Sequence, residues 1–162
     1  MLQEFQRTED NLAKNEKKEY AKHYQEQITA LQQKLKDAKI PVIILVEGQA
    51  LAGKNPLVNE IIKELDPRFA GVFCAEDLKK SSLERPFLEP FWKAIPENGK
   101  IEVFEGGWPF KAVGDFVKGR ITDAEFRARI DESNMFERQL INNGYLVIKM
   151  FLNVTAKSRT RF

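Results

Sequence analysis

The chain has little of several features that mark specialised classes of protein. Its 162 residues include one cysteine, Cys74, and one histidine, His23. A single cysteine cannot form an internal disulfide, and a histidine with no other ligand-type residue beside it does not predict a metal centre. No apolar run approaches the roughly 20 residues of a membrane span, and no charged-then-apolar leader opens the sequence. These absences predict a cytoplasmic protein with no membrane partner.

The chain also lacks a strong charge of either sign. It carries 26 basic and 24 acidic residues, a formal charge of +2. This balance gives no electrostatic argument for a nucleic-acid partner, so any anion site must be local. Apolar residues make up 43% of the chain and aromatic residues 10%, which is enough to build a hydrophobic core.

Residues 1–40 differ in composition from the rest. Residues 1–38 are rich in Lys, Glu and Gln and contain neither Gly nor Pro. Their apolar side chains recur at spacings of three and four, which is typical of an amphipathic helix. The recurring positions are Tyr20, Tyr24, Ile28, Leu31 and Leu35. We therefore expect a helical extension over residues 1–40, packed on a domain of residues 41–162 or on a partner helix.

From residue 41 onward, predicted strands and helices alternate. Apolar, β-branched runs predict strands at 42–46, 71–75, 101–104 and 146–152. Helical spacing predicts helices at 57–65, from Ser81 or Ser82 through Trp92, and at 122–142, where Thr122 to Glu125 form a capping sequence. This alternation predicts an α/β fold, a parallel sheet flanked by helices.

The first predicted strand runs directly into a glycine-rich loop, in the segment VEGQALAGKN. Gly48, Gly53 and Lys54 satisfy the pattern G-x-x-x-x-G-K between a strand and a helix, which is the context that a phosphate-binding P-loop requires. The loop N–H groups, the helix N-terminus and the lysine ammonium would together hold phosphate. Asn55 stands where this motif usually carries the Ser or Thr that holds magnesium.

Further segments resemble one known family. They are LDPR at 65–68, ERPFLEPFWKAIPENGKIEVF at 84–104, Trp108, and NMFERQLINNGYLVIKMFLNVT at 134–155. Together with the loop they resemble the polyphosphate kinase 2 family of P-loop phosphotransferases, and most of all the degenerate N-terminal half of its tandem members, the polyphosphate:AMP phosphotransferases. The resemblance implies a P-loop kinase-like fold, polyphosphate and an adenine or guanine nucleotide as partners, and Mg²⁺ in an active enzyme.

The same resemblance places Arg85 and Trp108 on the acceptor side of the cleft. Each has a plainer alternative. Arg85 is equally suited to a surface ion pair, and Trp108 could pack rather than wall the site, although its position just after a strand favours the site. The basic residues Lys111, Lys118 and Arg120 could face phosphate, but a solvated surface is the default expectation.

The chain departs from the family pattern at chemically important positions. Active members carry an aspartate in the loop where this chain has Ala50, and they end the third strand with Asp-Arg-Ser-Trp-Tyr where this chain has Glu105 to Pro109. Glu105 could still bind a metal. The family continues after the fourth strand into a lid, and the resemblance leads us to expect a truncated domain without that lid.

These departures leave two main functional hypotheses. The first is a weakened or inactive domain that binds a phosphate chain or nucleotide, or assists assembly as a homo-oligomer or beside an active copy. The second is an active polyphosphate:nucleotide phosphotransferase in which Glu105 and substrate-bound Mg²⁺ compensate. An unrelated P-loop NTPase is a third alternative, and the number of matching segments argues against it.

Overall fold

The structure is a computed structural model, and it describes residues 14–75, 78 and 85–154. In chain order the elements are α1 (Lys14–Asp37), β1 (Val42–Gly48), α2 (Lys54–Lys63), β2 (Ala70–Cys74), α3 (Glu89–Ala94), β3 (Ile101–Glu105), α4 (Trp108–Val117), α5 (Asp123–Asn142) and β4 (Leu146–Leu152). None of the helices in these ranges is both long and apolar enough to cross a membrane.

The described strands form one parallel sheet in the order β2-β3-β1-β4. Val42 of β1 pairs with Ile101 of β3 and with Leu146 of β4, and Val46 pairs with Glu105 and Met150. The carboxyl ends of β1 and β3 therefore lie side by side. The predicted α/β fold with a parallel sheet is confirmed, and the strand boundaries differ from the predicted ones by no more than two residues.

Side-chain alternation along the strands gives the sheet two apolar faces. On one face Ile43 and Leu45 of β1 join a cluster from α3, α4 and α5 that includes Phe91, Trp108 and Phe136. On the other face Val42, Ile44 and Val46 pack with Val58 of α2. The flanking of the sheet by helices is thus also confirmed, and β1 is buried on both sides.

Helix α1 packs on the α2 face of the sheet, but through a narrower stripe than its sequence predicts. Ile28 and Leu35 contact the core, whereas Tyr24 is 57% and Leu31 54% exposed. The contact face includes Gln32, which is 5% exposed because its side-chain amide bonds both backbone groups of Asp66. Residues 1–13 lie outside the described residues, and the domain division at residue 40 stays a prediction.

Two helices begin at places different from those predicted. Helix α2 begins at Lys54, three residues before the predicted start, because Pro56 is compatible with the first turn. Helix α3 begins at Glu89, with Pro90 in its first turn. Ser81 and Ser82 lie outside the described residues. Arg85 and Pro86 are not helical, as expected for a residue before proline.

Helix α4 was not predicted from the sequence. Gly106, Gly107 and Pro109 look like signals for a turn, but Pro109 lies in the first turn of the helix, where proline is tolerated. The predicted cap of α5 is confirmed: the Thr122 hydroxyl accepts a hydrogen bond from the Glu125 N–H, and the Glu125 carboxylate accepts one from the Thr122 N–H.

Candidate phosphate-binding site

The loop from Gly48 to Gly53 links the carboxyl end of β1 to the N-terminus of α2. Gly48 has a φ of 147°, and a Cβ at this position would lie 2.4 Å from the carbonyl oxygen of Leu152. The chain therefore passes so close to β4 that only glycine fits. Gly53 is the N-cap residue of α2 and makes no side-chain cap.

Lys54 is the first residue of α2 and is 8% exposed. Its Nζ donates a hydrogen bond to the Gln49 carbonyl oxygen at 3.3 Å, so the ammonium is folded over the loop. The same Nζ lies 5.5 Å from the centre of the Phe110 ring, within reach of a cation–π contact. Asn55, the next residue of the helix, is exposed.

The N-terminus of α2 offers a second source of positive potential. Its first turn contains no acidic residue, and the first N–H groups of a helix have no partner within the helix. Together with the lysine and the helix dipole they form an arrangement suited to an anion. Gly48, Gly53, Lys54 and Asn55 are thus brought together as the P-loop pattern predicts. Their role in binding phosphate stays a prediction.

Glu47 is a charged residue of this region that the sequence analysis missed. Its Oε1 accepts hydrogen bonds from the backbone N–H groups of Gly107 at 3.3 Å and Phe110 at 3.2 Å. Burial raises the pKa of Glu47, although these two hydrogen bonds and the charge of Lys149 act against the rise. The available signal was a single acidic residue at the end of the otherwise apolar strand VIILVEG.

Glu105 is the last residue of β3 and pairs in register with Val46. Val46 faces α2, so alternation places Glu105 on the face of the sheet that α2 covers. Gly106 follows with a φ of 71°, and a Cβ there would lie 2.8 Å from the Phe110 ring. A carboxylate is therefore present at the strand end, whereas the space beside residue 106 is filled by an aromatic ring.

The two residues assigned to the acceptor side, Arg85 and Trp108, differ in their surroundings. Arg85 is an exposed residue whose guanidinium pairs with Glu89 at 3.2 Å. Trp108 is 0% exposed and packs edge-on against Phe136. Its indole N–H donates to Glu137 at 2.8 Å. A fully buried ring offers no surface to a ligand, which favours the packing alternative for Trp108. The acceptor role of Arg85 stays a prediction.

A buried charge cluster joins α4 to α5. Asp115 is 1% exposed and accepts hydrogen bonds from Lys111, Arg120 and Arg129. Burial alone would raise the pKa of Asp115, but the hydrogen bonds from Lys111, Arg129 and Arg120 and the charge of Lys111 together outweigh burial and hold this pKa below its usual value. Lys111 and Arg120 were expected on a solvated surface, but they are partners of this carboxylate.

The side chains present suit Mg²⁺ only in part. Among the described residues, no group of three or more His, Cys, Asp or Glu side chains could hold a metal ion. Mg²⁺ commonly uses one or two carboxylates and completes its coordination with water and substrate phosphates. Glu105 could supply one such ligand beside the loop, and a phosphate substrate would have to supply others.

A family model described as polyphosphate kinase 2 matches residues 11–162. The chain is 33% identical over 120 residues to a polyphosphate:AMP phosphotransferase of Pseudomonas aeruginosa, an alignment that covers 74% of this chain and 24% of that relative. It is 26% identical over 121 residues to a GDP-polyphosphate phosphotransferase of Mycolicibacterium smegmatis, covering 74% of this chain and 43% of that one. The chain thus spans less than half the length of each of these relatives.

One solved structure agrees with this family, and a second shows the same fold. A polyphosphate kinase 2 structure from Pseudomonas aeruginosa has a TM-score of 0.81 and 31% identity, and the match covers 90% of this chain and 32% of that chain. A polyphosphate kinase 2 from Arthrobacter aurescens has a TM-score of 0.86 over 93% of this chain and 55% of that one, and at 20% identity it shows the fold alone. Because the family model matches nearly the whole sequence, the chain belongs to the polyphosphate kinase 2 family.

Proposed function

We propose that this chain is a domain that binds a phosphate chain or a nucleotide and has little or no phosphotransferase activity of its own. It would then act beside an active copy or assist assembly. The observation that carries the proposal is a contrast between two positions. Lys54 lies buried at the N-terminus of α2 with its ammonium over the loop, whereas Gly106, where active members carry arginine, has no side chain.

The binding half of the proposal rests on local charge. The ammonium of Lys54 and the uncapped N-terminus of α2 act on the same loop, and both favour phosphate. The relatives are named for polyphosphate with AMP or GDP. We therefore propose polyphosphate and an adenine or guanine nucleotide as partners. Self-association through exposed residues of α1, such as Tyr24 and Leu31, also stays a proposal.

The weak activity follows from two missing side chains. Phosphoryl transfer depends on positioning and on neutralising the charge that spreads over the phosphoryl oxygens. The methyl group of Ala50 cannot hold a metal, and Gly106 cannot supply a guanidinium. Loss of one such arginine can cost roughly 10³ to 10⁵ in rate. The Phe110 ring beside Gly106 leaves no room for a simple replacement.

One observation favours the alternative, an active polyphosphate:nucleotide phosphotransferase that forms ADP or ATP. Glu105 ends β3 on the face of α2, next to the end of β1. It could hold Mg²⁺ together with the phosphates of the substrate. When bound, the metal would neutralise charge on the transferring phosphoryl group.

Binding is tested first, by calorimetric titration of tripolyphosphate and of AMP into the wild type, Lys54→Ala and Lys63→Ala. Lys63 is the matched control, because it lies in the last turn of the same helix with an exposed side chain. We expect Lys54→Ala to weaken tripolyphosphate binding by at least about tenfold and Lys63→Ala to leave it unchanged. Equal affinities in all three proteins would exclude the loop as the site.

Turnover is then measured as ADP or ATP formed from polyphosphate with AMP or ADP and Mg²⁺, with Lys54→Ala as the blank. We expect no product above the blank while binding persists. Product above the blank would replace the proposal with the active alternative, and Glu105→Gln would then be expected to remove that activity.

A further inference from the structure

Glu47 connects the two loops that follow β1 and β3. Its Oε1 accepts hydrogen bonds from two backbone N–H groups. One belongs to Gly107, the N-cap residue of α4, and the other to Phe110 in the first turn of that helix. These are groups that a helix cannot satisfy internally, and a carboxylate at this end also interacts favourably with the helix dipole. Glu47 therefore acts as a cap supplied from another strand, 60 residues away in sequence.

Two further contacts hold the same two segments together. The Gly106 N–H donates to the Val46 carbonyl oxygen at 3.0 Å. A Cβ at Gly107 would lie 2.4 Å from the Leu45 side chain, so the backbone after β3 runs directly against the β1 surface. The start of α4 is thus held against β1 by three hydrogen bonds to Val46 and Glu47 and by one close approach to Leu45.

Phe110 extends this connection to the phosphate loop. Its backbone is held by Glu47, one side of its ring is close to Gly106, and its ring centre lies 5.5 Å from the Lys54 ammonium. A cation–π contact at this distance restricts where the ammonium can lie. Movement of the first turn of α4 would therefore move the ring that contacts the Lys54 ammonium.

We propose that Glu47 is a positioning residue of the phosphate site. By capping α4 it holds the Phe110 ring next to the Lys54 ammonium, and it fixes the position of the loop after β3 relative to the loop after β1. This inference rests on the proposed function of the loop. Glu47 acts through backbone N–H groups and through Phe110, and it touches no substrate. The charges that influence its carboxylate include Lys149 of β4 and Glu137 of α5.

The test compares Glu47→Ala with Glu47→Gln in the full chain. The glutamine oxygen can still accept both N–H groups, whereas alanine accepts neither. Two readouts are measured: hydrogen exchange of the Gly107 and Phe110 amides by NMR, and tripolyphosphate affinity by calorimetry. We expect Glu47→Ala to lower the protection of both amides and the affinity by about tenfold or more, and Glu47→Gln to stay within about threefold of the wild type in both.

Glu102→Ala is the matched control. Glu102 is also a half-buried glutamate whose pKa is raised by burial, but it pairs in register with Ile43 near the opposite end of β1. Its carboxylate makes no hydrogen bond or ion pair with the residues that the structure describes. We expect Glu102→Ala to leave the two amides and the affinity unchanged.

Three results would overturn the proposal. Glu47→Ala could preserve amide protection, or it could lose protection while keeping wild-type affinity, which would make the cap purely structural. Glu47→Gln could lose as much affinity as Glu47→Ala, which would assign the effect to charge rather than position. If Glu47→Ala does not fold, Glu47→Leu, which accepts neither N–H group but fills the same space, replaces it in both measurements. If the wild type binds no tripolyphosphate, the proposed function fails, and amide protection still decides whether Glu47 holds the two loops together.

Discussion

The ring of Phe110 occupies the space into which a side chain at Gly106 would project, because a Cβ on Gly106 would lie 2.8 Å from ring atom Cδ1. Gly106 also has a φ of 71°, in the left-handed region that side chains other than glycine disfavour. The position of the Phe110 ring therefore requires a glycine at residue 106. The glycine allows the ring to lie against the loop, and the ring in turn can contact Lys54.

Gly106→Arg, which would restore the arginine of active family members, is expected to destabilise the protein. The left-handed backbone alone costs about 1–2 kcal/mol for a residue with a Cβ, and displacing Phe110 adds overpacking of about 1–3 kcal/mol. Urea unfolding of the wild type and Gly106→Arg measures the combined loss. Turnover is expected to stay absent in Gly106→Arg and in Ala50→Asp/Gly106→Arg.

Gly119→Arg is the control that separates the two costs. Gly119 also has a positive φ, 63°, but a Cβ there meets nothing within 4 Å. The unfolding free energy of Gly119→Arg should therefore fall only by the cost of the left-handed backbone. The arginine should also cost less unfolding free energy when it is added to Phe110→Ala than when it is added to the wild type. Equal losses in Gly106→Arg and Gly119→Arg would contradict a clash with Phe110.

Asp115→Asn tests the charge cluster between α4 and α5. The substitution leaves Lys111 and Arg129, whose side chains are 16% and 17% exposed, without their shared counter-charge. Removal of one partner from a buried ion pair costs about 3–5 kcal/mol, and we expect a loss of unfolding free energy near the lower value because Arg120 can reach solvent. Asp131→Asn, on an exposed position of α5, should change the unfolding free energy by no more than about 0.5 kcal/mol.

The same cluster predicts a dependence of stability on pH. The hydrogen bonds from its three basic partners and the charge of Lys111 together overcome the effect of burial and hold the pKa of Asp115 below the ordinary 3.8. Because the folded pKa is depressed, the stabilisation is complete above the unfolded pKa and is lost as pH falls through the folded one. The stability difference between wild type and Asp115→Asn should therefore persist down to about pH 4 and shrink below it. A constant difference down to pH 2.5 would contradict this assignment.

The sequence predicted the part of the site that depends on local order. A continuous apolar run followed by Gly48, Gly53 and Lys54 is a pattern that neighbouring residues define. Strand β1 and the loop lie where it placed them, and α2 follows the loop, although it begins three residues earlier than predicted. The cap of α5 is another local signal, because Thr122 and Glu125 are three residues apart. Such features need no knowledge of what packs around them.

The features that the sequence did not predict depend on distant neighbours. Glu47 and Phe110 are 63 residues apart, and Asp115 and Arg129 lie on different helices. An isolated carboxylate in a helix or at the end of a strand looks like a solvated one until its partners are placed. The position of Trp108 after β3 favoured the site over packing, whereas α4 begins at that residue and its indole is buried in the core.

Gln32→Ala is expected to loosen the attachment of α1 to the sheet. The side-chain amide of Gln32 accepts from the Asp66 N–H at 2.8 Å and donates to the Asp66 carbonyl at 3.3 Å. Its loss leaves two backbone groups in the loop after α2 without these partners, at a cost of about 1–3 kcal/mol. Gln33→Ala is the control on the adjacent residue, because the exposed side chain of Gln33 bonds, among the described residues, to Asp37 of its own helix alone. Both variants gain the same helix propensity, so the difference between their urea unfolding free energies isolates the contact with Asp66. Equal values for the two variants would mean that the contact between Gln32 and Asp66 adds nothing to the attachment of α1, which would then depend on its other contacts, such as those of Ile28 and Leu35.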